Sequence, residues 1–282
     1  MTESIRERLV ARQERASLLP DPRSTPGVKG RKRAERETVQ GAERLGKLQE
    51  RLWAERRRSV LLVLQGMDTS GKNGAIKHVF RGLNPVGIDV ASFERPTDEE
   101  LAHHFLWRIE RRLPRPGQIT IFNRSHYEDV LVVRVMGLVP EEEWRGRYPE
   151  ILDFERRIAE SGTIIIKVYL HISFEEQRQR LLARLDDPDK HWKFDEADME
   201  QRGRWDDYMA AYEAAIRECH TDAAPWYLVP SDRKWYRNRA IAGILEETLV
   251  EMDPRFPHPD LDVARLRVRL APPNRGADDR NS

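Results

Sequence analysis

The chain has 282 residues, a formal net charge of +1, 39% hydrophobic and 34% charged residues. That length suits one large domain with an extension better than two full domains, and the balanced charge excludes the lopsided profile of a nucleic-acid binder. The single cysteine, Cys219, excludes an intramolecular disulfide and a four-cysteine zinc site.

The N-terminus opens Met1-Thr2-Glu3-Ser4-Ile5-Arg6 and carries no apolar signal core. Residues 1 to about 22 read as a short charged helix ending at Leu19-Pro20-Asp21-Pro22, before a Pro-, Gly- and Ser-containing loop to Gly30. Residues 31–58 are rich in Arg and Glu, and the spacing of Leu45, Leu48 and Leu52 predicts an amphipathic helix leading into the core. Its arginines read either as a solvated face or as a polyanion contact. Residues 1–58 thus form an expected N-terminal helical extension.

Ser59-Val60-Leu61-Leu62-Val63-Leu64-Gln65 is a short continuous apolar run, the pattern of a strand buried on both faces. A glycine-rich turn and a helix over 72–83 follow. Residues 88–93 read as a second strand, 98–112 as a helix stopping before Pro114, and 118–122 as a third strand. A helix over 141–161 stops at Ser161-Gly162, and the β-branched run 163–172 is the clearest strand. Ser173-Phe174-Glu175-Glu176 caps the next helix. A last strand at 225–229 precedes a helix over 234–252. The longest apolar stretches, 60–64 and 164–172, are too short to span a bilayer, so a cytoplasmic protein without membrane contact is expected. Strands alternating with helices predict an α/β fold with a parallel, doubly wound sheet. The core is placed at 59–256, with a lid over about 173–204. The tail, 257–282, is rich in Pro, Asp and Arg, and its last ten residues are expected to be disordered.

The strongest chemical signal is Gly66-Met67-Asp68-Thr69-Ser70-Gly71-Lys72-Asn73, directly after a buried strand and opening a helix. In a phosphate-binding loop the glycines let backbone N–H groups face the anion, the helix start adds favourable partial charge, and Lys72 adds a full one. Asn73 stands where Ser or Thr would normally hold Mg²⁺. Asp68 is the compensating candidate, either as a magnesium ligand or as a base toward an acceptor phosphate; the plainer reading is a turn-capping Asp. Gly66, Thr69, Ser70, Gly71, Asn73 and Gly74 complete the candidate phosphate cradle.

A second cluster, Asn123-Arg124-Ser125-His126-Tyr127-Glu128-Asp129, ends the third strand, where ligands of open α/β sheets bind. Arg124 suits a bidentate grip on phosphate, and Glu128 or Asp129 can supply a further carboxylate. A third cluster joins Arg178, Arg180 and Arg184 to Asp186-Asp187-Pro188-Asp189-Lys190-His191-Trp192-Lys193-Phe194, a mix that suits a mobile lid over phosphates. Lys77 and Arg81, one turn apart, extend the basic track. Taken singly, each of these reads equally as a solvated charge or as a phosphate contact. As a set they imply a polyanion longer than one triphosphate. Trp192 and Phe194 either stack on a base or pack the closed lid.

Together these segments resemble the family-2 polyphosphate kinases, whose P-loop core is similar to thymidylate kinase. The resemblance runs from roughly residue 45 to 259. It rests on 66–74, 123–133, Lys190-His191-Trp192-Lys193-Phe194, Arg204-Trp205-Asp206-Asp207-Tyr208 and Ala224-Pro225-Trp226-Tyr227. It implies a three-layer P-loop kinase-like sandwich with a helical lid, and phosphoryl transfer between inorganic polyphosphate and nucleotides. It also implies Mg²⁺, with Mn²⁺ as the alternative ion, adenine or guanine nucleotides as substrates, and a homo-oligomer, dimer or tetramer. Many members have Asp-Arg-Ser where this chain has Asn123-Arg124-Ser125, and His126-Tyr127-Glu128-Asp129-Val130 looks like the subgroup that phosphorylates both AMP and ADP. The departure shifts the second metal carboxylate to Asp129, paired with Asp68, with Glu128 tuning the acceptor nucleotide.

The implied roles follow. Asp68 binds metal or orients the acceptor, and Lys72, Arg124 and the loop amides hold the transferring group. Lys77, Arg81, Arg134, Arg178, Arg184, Lys190 and Lys193 guide the polyphosphate. Two rivals stay open: an ATP-dependent nucleoside or nucleotide kinase on the same fold, and a nucleotide-gated binding protein without turnover.

Overall fold

The computed structural model describes residues 3–14 and 17–270. Strands β1 (Ser59–Gln65), β2 (Ile88–Ser92), β3 (Ile119–Asn123), β4 (Thr163–His171) and β5 (Trp226–Pro230) form one sheet in the order β2-β3-β1-β4-β5. Every neighbouring pair is parallel, with Leu62 of β1 opposite Ile121 of β3 and Ile166 of β4. Parallel strands need crossovers, and helices supply them. Helices α1 (Ile5–Leu9) and α2 (Arg31–Glu55) precede the sheet, and α3 (Lys72–Val79) follows β1. Helices α4 (Asp98–Leu101) and α5 (Trp107–Glu110) join β2 to β3, while α6 (Glu128–Val135) and α7 (Glu141–Glu160) join β3 to β4. Helices α8 (Phe174–Leu185), α9 (Ala197–Gly203) and α10 (Trp205–Glu218) join β4 to β5, and α11 (Lys234–Met252) and α12 (Val263–Leu270) end the described chain.

The apolar run of β1 serves two cores at once. Leu61 and Val63 enter one cluster with residues of α6, α7 and α10, whereas Val60, Leu62 and Leu64 enter the other with residues of α2, α3 and α11. Each buried Leu or Val of this kind contributes roughly 1.5–3 kcal/mol, and the two clusters make the expected three-layer α/β sandwich. Leu45 and Leu52 of α2 are buried in the second cluster and Leu48 packs against it. Three arginines of α2 are answered by acids: Arg31 by Glu35, Arg33 by Glu37 and Arg44 by Glu246 of α11. Among the described residues no helix is long and apolar enough to cross a membrane.

Three local readings differ from the structure. The N-terminal helix is only one turn long, because after Leu9 the chain becomes extended and docks on the edge of β5. The Ala11 N–H donates to the Trp226 carbonyl at 2.8 Å, and Val10 bridges Tyr227. The helix expected over 98–112 is two separate turns. A capping box of Thr97 and Glu100 closes the first, and the chain then turns so that Leu106 and Ile109 reach the core. The helix after the glycine loop stops at Val79 rather than 83, since Gly82 takes φ +96° and turns the chain toward β2. In the tail, Val263–Leu270 is helical, and the ten residues expected to be disordered lie outside the described residues.

Burial makes the sheet acid-sensitive. His171, at the end of β4, is held neutral by burial, which pushes it down to about 4 although Asp232 and Asp21 pull the other way. In the unfolded chain it gains a proton below about 6.5. Its contribution is therefore complete above that pH and is lost as pH falls from about 6.5 toward 4, by roughly 3 kcal/mol at the low end. Urea unfolding across that pH range checks this: His171→Asn should flatten the profile relative to wild type.

Candidate active site

Strand β1 delivers the chain into the loop Gly66–Gly71 at the C-terminal edge of the sheet, between β3 and β4, where the strand order reverses. The loop is tight. A Cβ on Gly66 (φ +150°) would lie 2.7 Å from the Leu170 carbonyl oxygen, and one on Gly71 (φ +103°) would lie 1.7 Å from Arg237 Nη1. Thr69 is held at φ +64°, a left-handed conformation uncommon for a β-branched residue. Two arginines grip the carbonyl side of this loop. Arg180 of α8 donates to the Thr69 and Ser70 carbonyls (2.8 and 3.1 Å) and to those of Ser231 and Asp232, and Arg237 donates to Ser70 at 3.4 Å. With its carbonyls tied on that side, the loop can turn N–H groups toward an anion.

Lys72, at the start of α3, is buried and donates to the Gly66 carbonyl at 2.6 Å and to that of Met67 at 3.3 Å. Burial pushes it down to about 8, against the pull of Asp68, so it is a cation at neutral pH with little solvation of its own. The Asp68 carboxylate accepts from Arg124 Nη2 at 2.7 Å. Burial opposes its charge, but Lys72 and Arg124 outweigh it and hold the carboxyl below the usual range. Arg124 itself sits at φ +64° just beyond β3. Glu128, at the first turn of α6, is raised by its desolvating surroundings, with Arg124 and Lys72 near enough to pull it down. Four charged groups thus converge where the loop ends.

Two amides meet here as well. Asn123 Nδ2 donates to Asn73 Oδ1 at 2.7 Å and to Ser92 Oγ at 3.2 Å, while Asn123 Oδ1 is buried with no partner among the described residues.

A sequence model of the family described as polyphosphate kinase 2 matches residues 29–257. The chain belongs to the polyphosphate kinase 2 family. It is similar to the AMP/ADP-polyphosphate phosphotransferase of Meiothermus ruber, 53% identical over 88% of this chain and 93% of that protein. The ADP-polyphosphate phosphotransferase of Rhodopseudomonas palustris is 45% identical over 81% and 82%. The crystal structure of polyphosphate kinase 2 from Arthrobacter aurescens TC1 superposes with a TM-score of 0.91 at 43% identity, covering 95% of this chain and 96% of that one.

Membership of the polyphosphate kinase 2 family raises the question of a divalent cation. Among the described residues no three carboxylates, imidazoles or thiols converge into a ready-made cage. Magnesium is commonly held by one or two carboxylates together with substrate phosphates and water, and two carboxylates are at hand. The Asp68 and Asp198 carboxyls lie within hydrogen-bonding reach of each other. Burial first, and the negative charge of Asp68 second, push Asp198 up to about 6. A pair of buried acids with hard oxygen donors fits a small divalent ion.

Asp198 lies on α9, in the segment expected to form a lid, where Arg184 Nη1 holds it at 3.1 Å. Sequence reading did not pick it out, because Asp195, Glu196 and Asp198 crowd one stretch and no spacing rule chooses among them. Its burial is the distinguishing signal, and only the packing of α9 creates it.

The other expected residues divide. Lys77 on α3 and Arg81 in the turn just beyond it are both exposed. Asp129 turns toward α7, 3.3 Å from Arg147, with its second oxygen buried and unpartnered among the described residues; burial raises it to about 6 despite Arg147. The carboxylate placed beside Asp68 is therefore Asp198, with Glu128 next. Arg134 stacks over Trp144 at 4.8 Å, Arg178 pairs with Glu175, and Lys190 with Asp187. Lys193 lies over the Trp192 ring, which is 79% exposed.

The glycine geometry gives a direct check. Gly71→Ala should force Arg237 and the loop apart, lowering kcat/KM for phosphoryl transfer by about 100-fold or more. The left-handed backbone and the clash with buried Arg237 should also lower Tm by several degrees.

Proposed function

We propose that this protein transfers the terminal phosphoryl group of inorganic polyphosphate to AMP and to ADP, in a magnesium-dependent, in-line reaction. The reading is carried by the match over 88% of the chain to a relative named for polyphosphate transfer to AMP and ADP. In this chain Asp68, Lys72 and Arg124 gather at a phosphate-binding loop. Phosphoryl transfer passes through a loose, anionic transition state, so positioning and charge neutralisation dominate. Lys72, whose buried ammonium is shared between two loop carbonyls, turns to the transferring group once phosphate enters. Arg124 offers its remaining N–H groups to the same oxygens. Asp68 and Asp198 would hold Mg²⁺, which when bound neutralises charge developing on the bridging phosphate oxygens. The exposed Lys77 and Arg81 lie on the route that the polyphosphate chain takes away from the loop, and the segment from α8 to α9 acts as the lid.

The acceptor's nucleoside end fits the cleft of about 350 Å³ between the α4–α5 segment and α7, lined by His104, Phe105, Arg108, Asp129 and Arg147. It adjoins the charged cluster through the neighbouring residues Glu128 and Asp129. Asp129 lines this cleft, and a modest turn of its carboxylate brings its unpartnered oxygen out to accept from a ribose hydroxyl. Adenine or guanine nucleotides as substrates and a homo-oligomeric state are drawn from the family, and a cytoplasmic location from the sequence, which carries no apolar signal core.

The direct test supplies polyphosphate and Mg²⁺ with AMP, and separately with ADP. ATP formation from both is expected. Product from ADP alone would remove AMP as an acceptor, and activity restored only by ATP as donor would replace the reading with an ordinary nucleotide kinase. Asp68→Asn should lower kcat by about 100-fold or more while polyphosphate is still retained in a pull-down. Asp129→Asn should raise the AMP KM about tenfold with the polyphosphate KM unchanged.

A further inference from the structure

Behind the acceptor turn, on the core side, lies an ion pair cut off from solvent. Lys167, in the middle of β4, and Glu155, on α7, are both buried, and their charged atoms are 2.6 Å apart. Lys167 Nζ also donates to the Cys219 carbonyl just beyond α10 and lies 3.0 Å from the Tyr127 hydroxyl. It sits over the rings of Tyr127 and Trp226 at 5.4 and 5.3 Å. Glu155 Oε1 accepts from the Tyr127 hydroxyl at 2.8 Å and lies 3.3 Å from His126 Nε2.

A buried ion pair of this kind adds little net stability. Desolvation consumes most of the attraction, and apolar replacements are often neutral or better. What the pair does supply is direction. It grips His126 and Tyr127, the two residues immediately before Glu128 and Asp129. The same turn is tied on its other side by Ser125, whose Oγ accepts from Gln65 Nε2 at 3.0 Å and from the Tyr127 N–H at 3.2 Å. Arg124, which reaches Asp68, lies one residue before that tie. The stretch 124–129 is therefore held at two points, one at the end of β1 and one in the core.

We infer that Glu155 and Lys167 are positioning residues for phosphoryl transfer, fixing the His126–Tyr127 turn and through it the acceptor-facing carboxylates Glu128 and Asp129. The inference rests on the phosphotransfer reading above. Neither residue touches substrate, so the effect should fall on the acceptor and leave the donor alone.

The experiment uses the full chain with polyphosphate, AMP and Mg²⁺. Glu155→Gln combined with Lys167→Met removes both charges together and so strands neither. The expected result is an acceptor kcat/KM lower by about tenfold or more, a polyphosphate KM within about twofold of wild type, and a Tm close to wild type. Tyr127→Phe deletes one hydroxyl from the network, leaves the ion pair intact, and decides the matter if the double variant does not fold. It should raise the acceptor KM in the same selective way. Wild-type acceptor kinetics in Tyr127→Phe or in the folded double variant would overturn the inference, as would parallel losses in acceptor and donor parameters. An inactive wild-type chain would instead overturn the phosphotransfer reading, and this inference with it.

Discussion

Strand β1 has a strand on each edge and a hydrophobic core on each face, so its side chains have no solvent to reach along its length. Polar chemistry can emerge only where the strand ends. There the backbone must both leave the sheet and begin α3 within a few residues, which forces the left-handed conformations of Gly66, Thr69 and Gly71. Arg180 and Arg237 stabilise that conformation by binding carbonyl groups that the turn would otherwise leave unanswered. The anion-binding side of the loop is in this sense a product of what is tied on the opposite side.

The charges around the loop follow a similar logic. Asp68 stays ionised in a desolvated position because Lys72 and Arg124 are close, and Lys72 stays a cation because Asp68 is close. Neither arrangement would persist alone in a low-dielectric setting. Helix α9 adds a further acid, Asp198, against the same carboxylate. A divalent ion would relieve that opposition, and phosphates would relieve the surplus positive charge on the other side. The site is thus charged in a pattern that its proposed substrates and ion complete.

The neutral pair of Asn73 and Asn123 bears on where that ion sits. Position 73 is where a hydroxyl residue usually meets magnesium in such loops, and position 123 is where the family resemblance implies an aspartate. Here the two amides bond to each other at 2.7 Å. The carboxylates near the loop are Asp68, Asp198 and Glu128, and the end of β3 carries an amide. Two departures that look independent along the chain are one contact in space.

Much of this molecule was readable in the residues themselves. The apolar run at 59–65 predicted a strand buried on both faces, the β-branched run at 163–172 predicted a strand, and the glycine spacing with Lys72 pointed to an anion-binding turn. Those are local constraints: periodicity, backbone freedom and the absence of competing polar groups. The sequence was less informative wherever a residue's state depends on a distant partner. The first helix gives way after Leu9 because the edge of β5, more than two hundred residues later, offers a better partner for the Ala11 N–H. Arg134 and Arg178 look like Arg124 in the sequence, yet Trp144 and Glu175 occupy the first two while Asp68 takes the third. Asp198, Arg237 and the Glu155–Lys167 pair acquire their meaning only by burial. Burial is a property of the packed whole, set by which elements close over a side chain rather than by its neighbours along the chain.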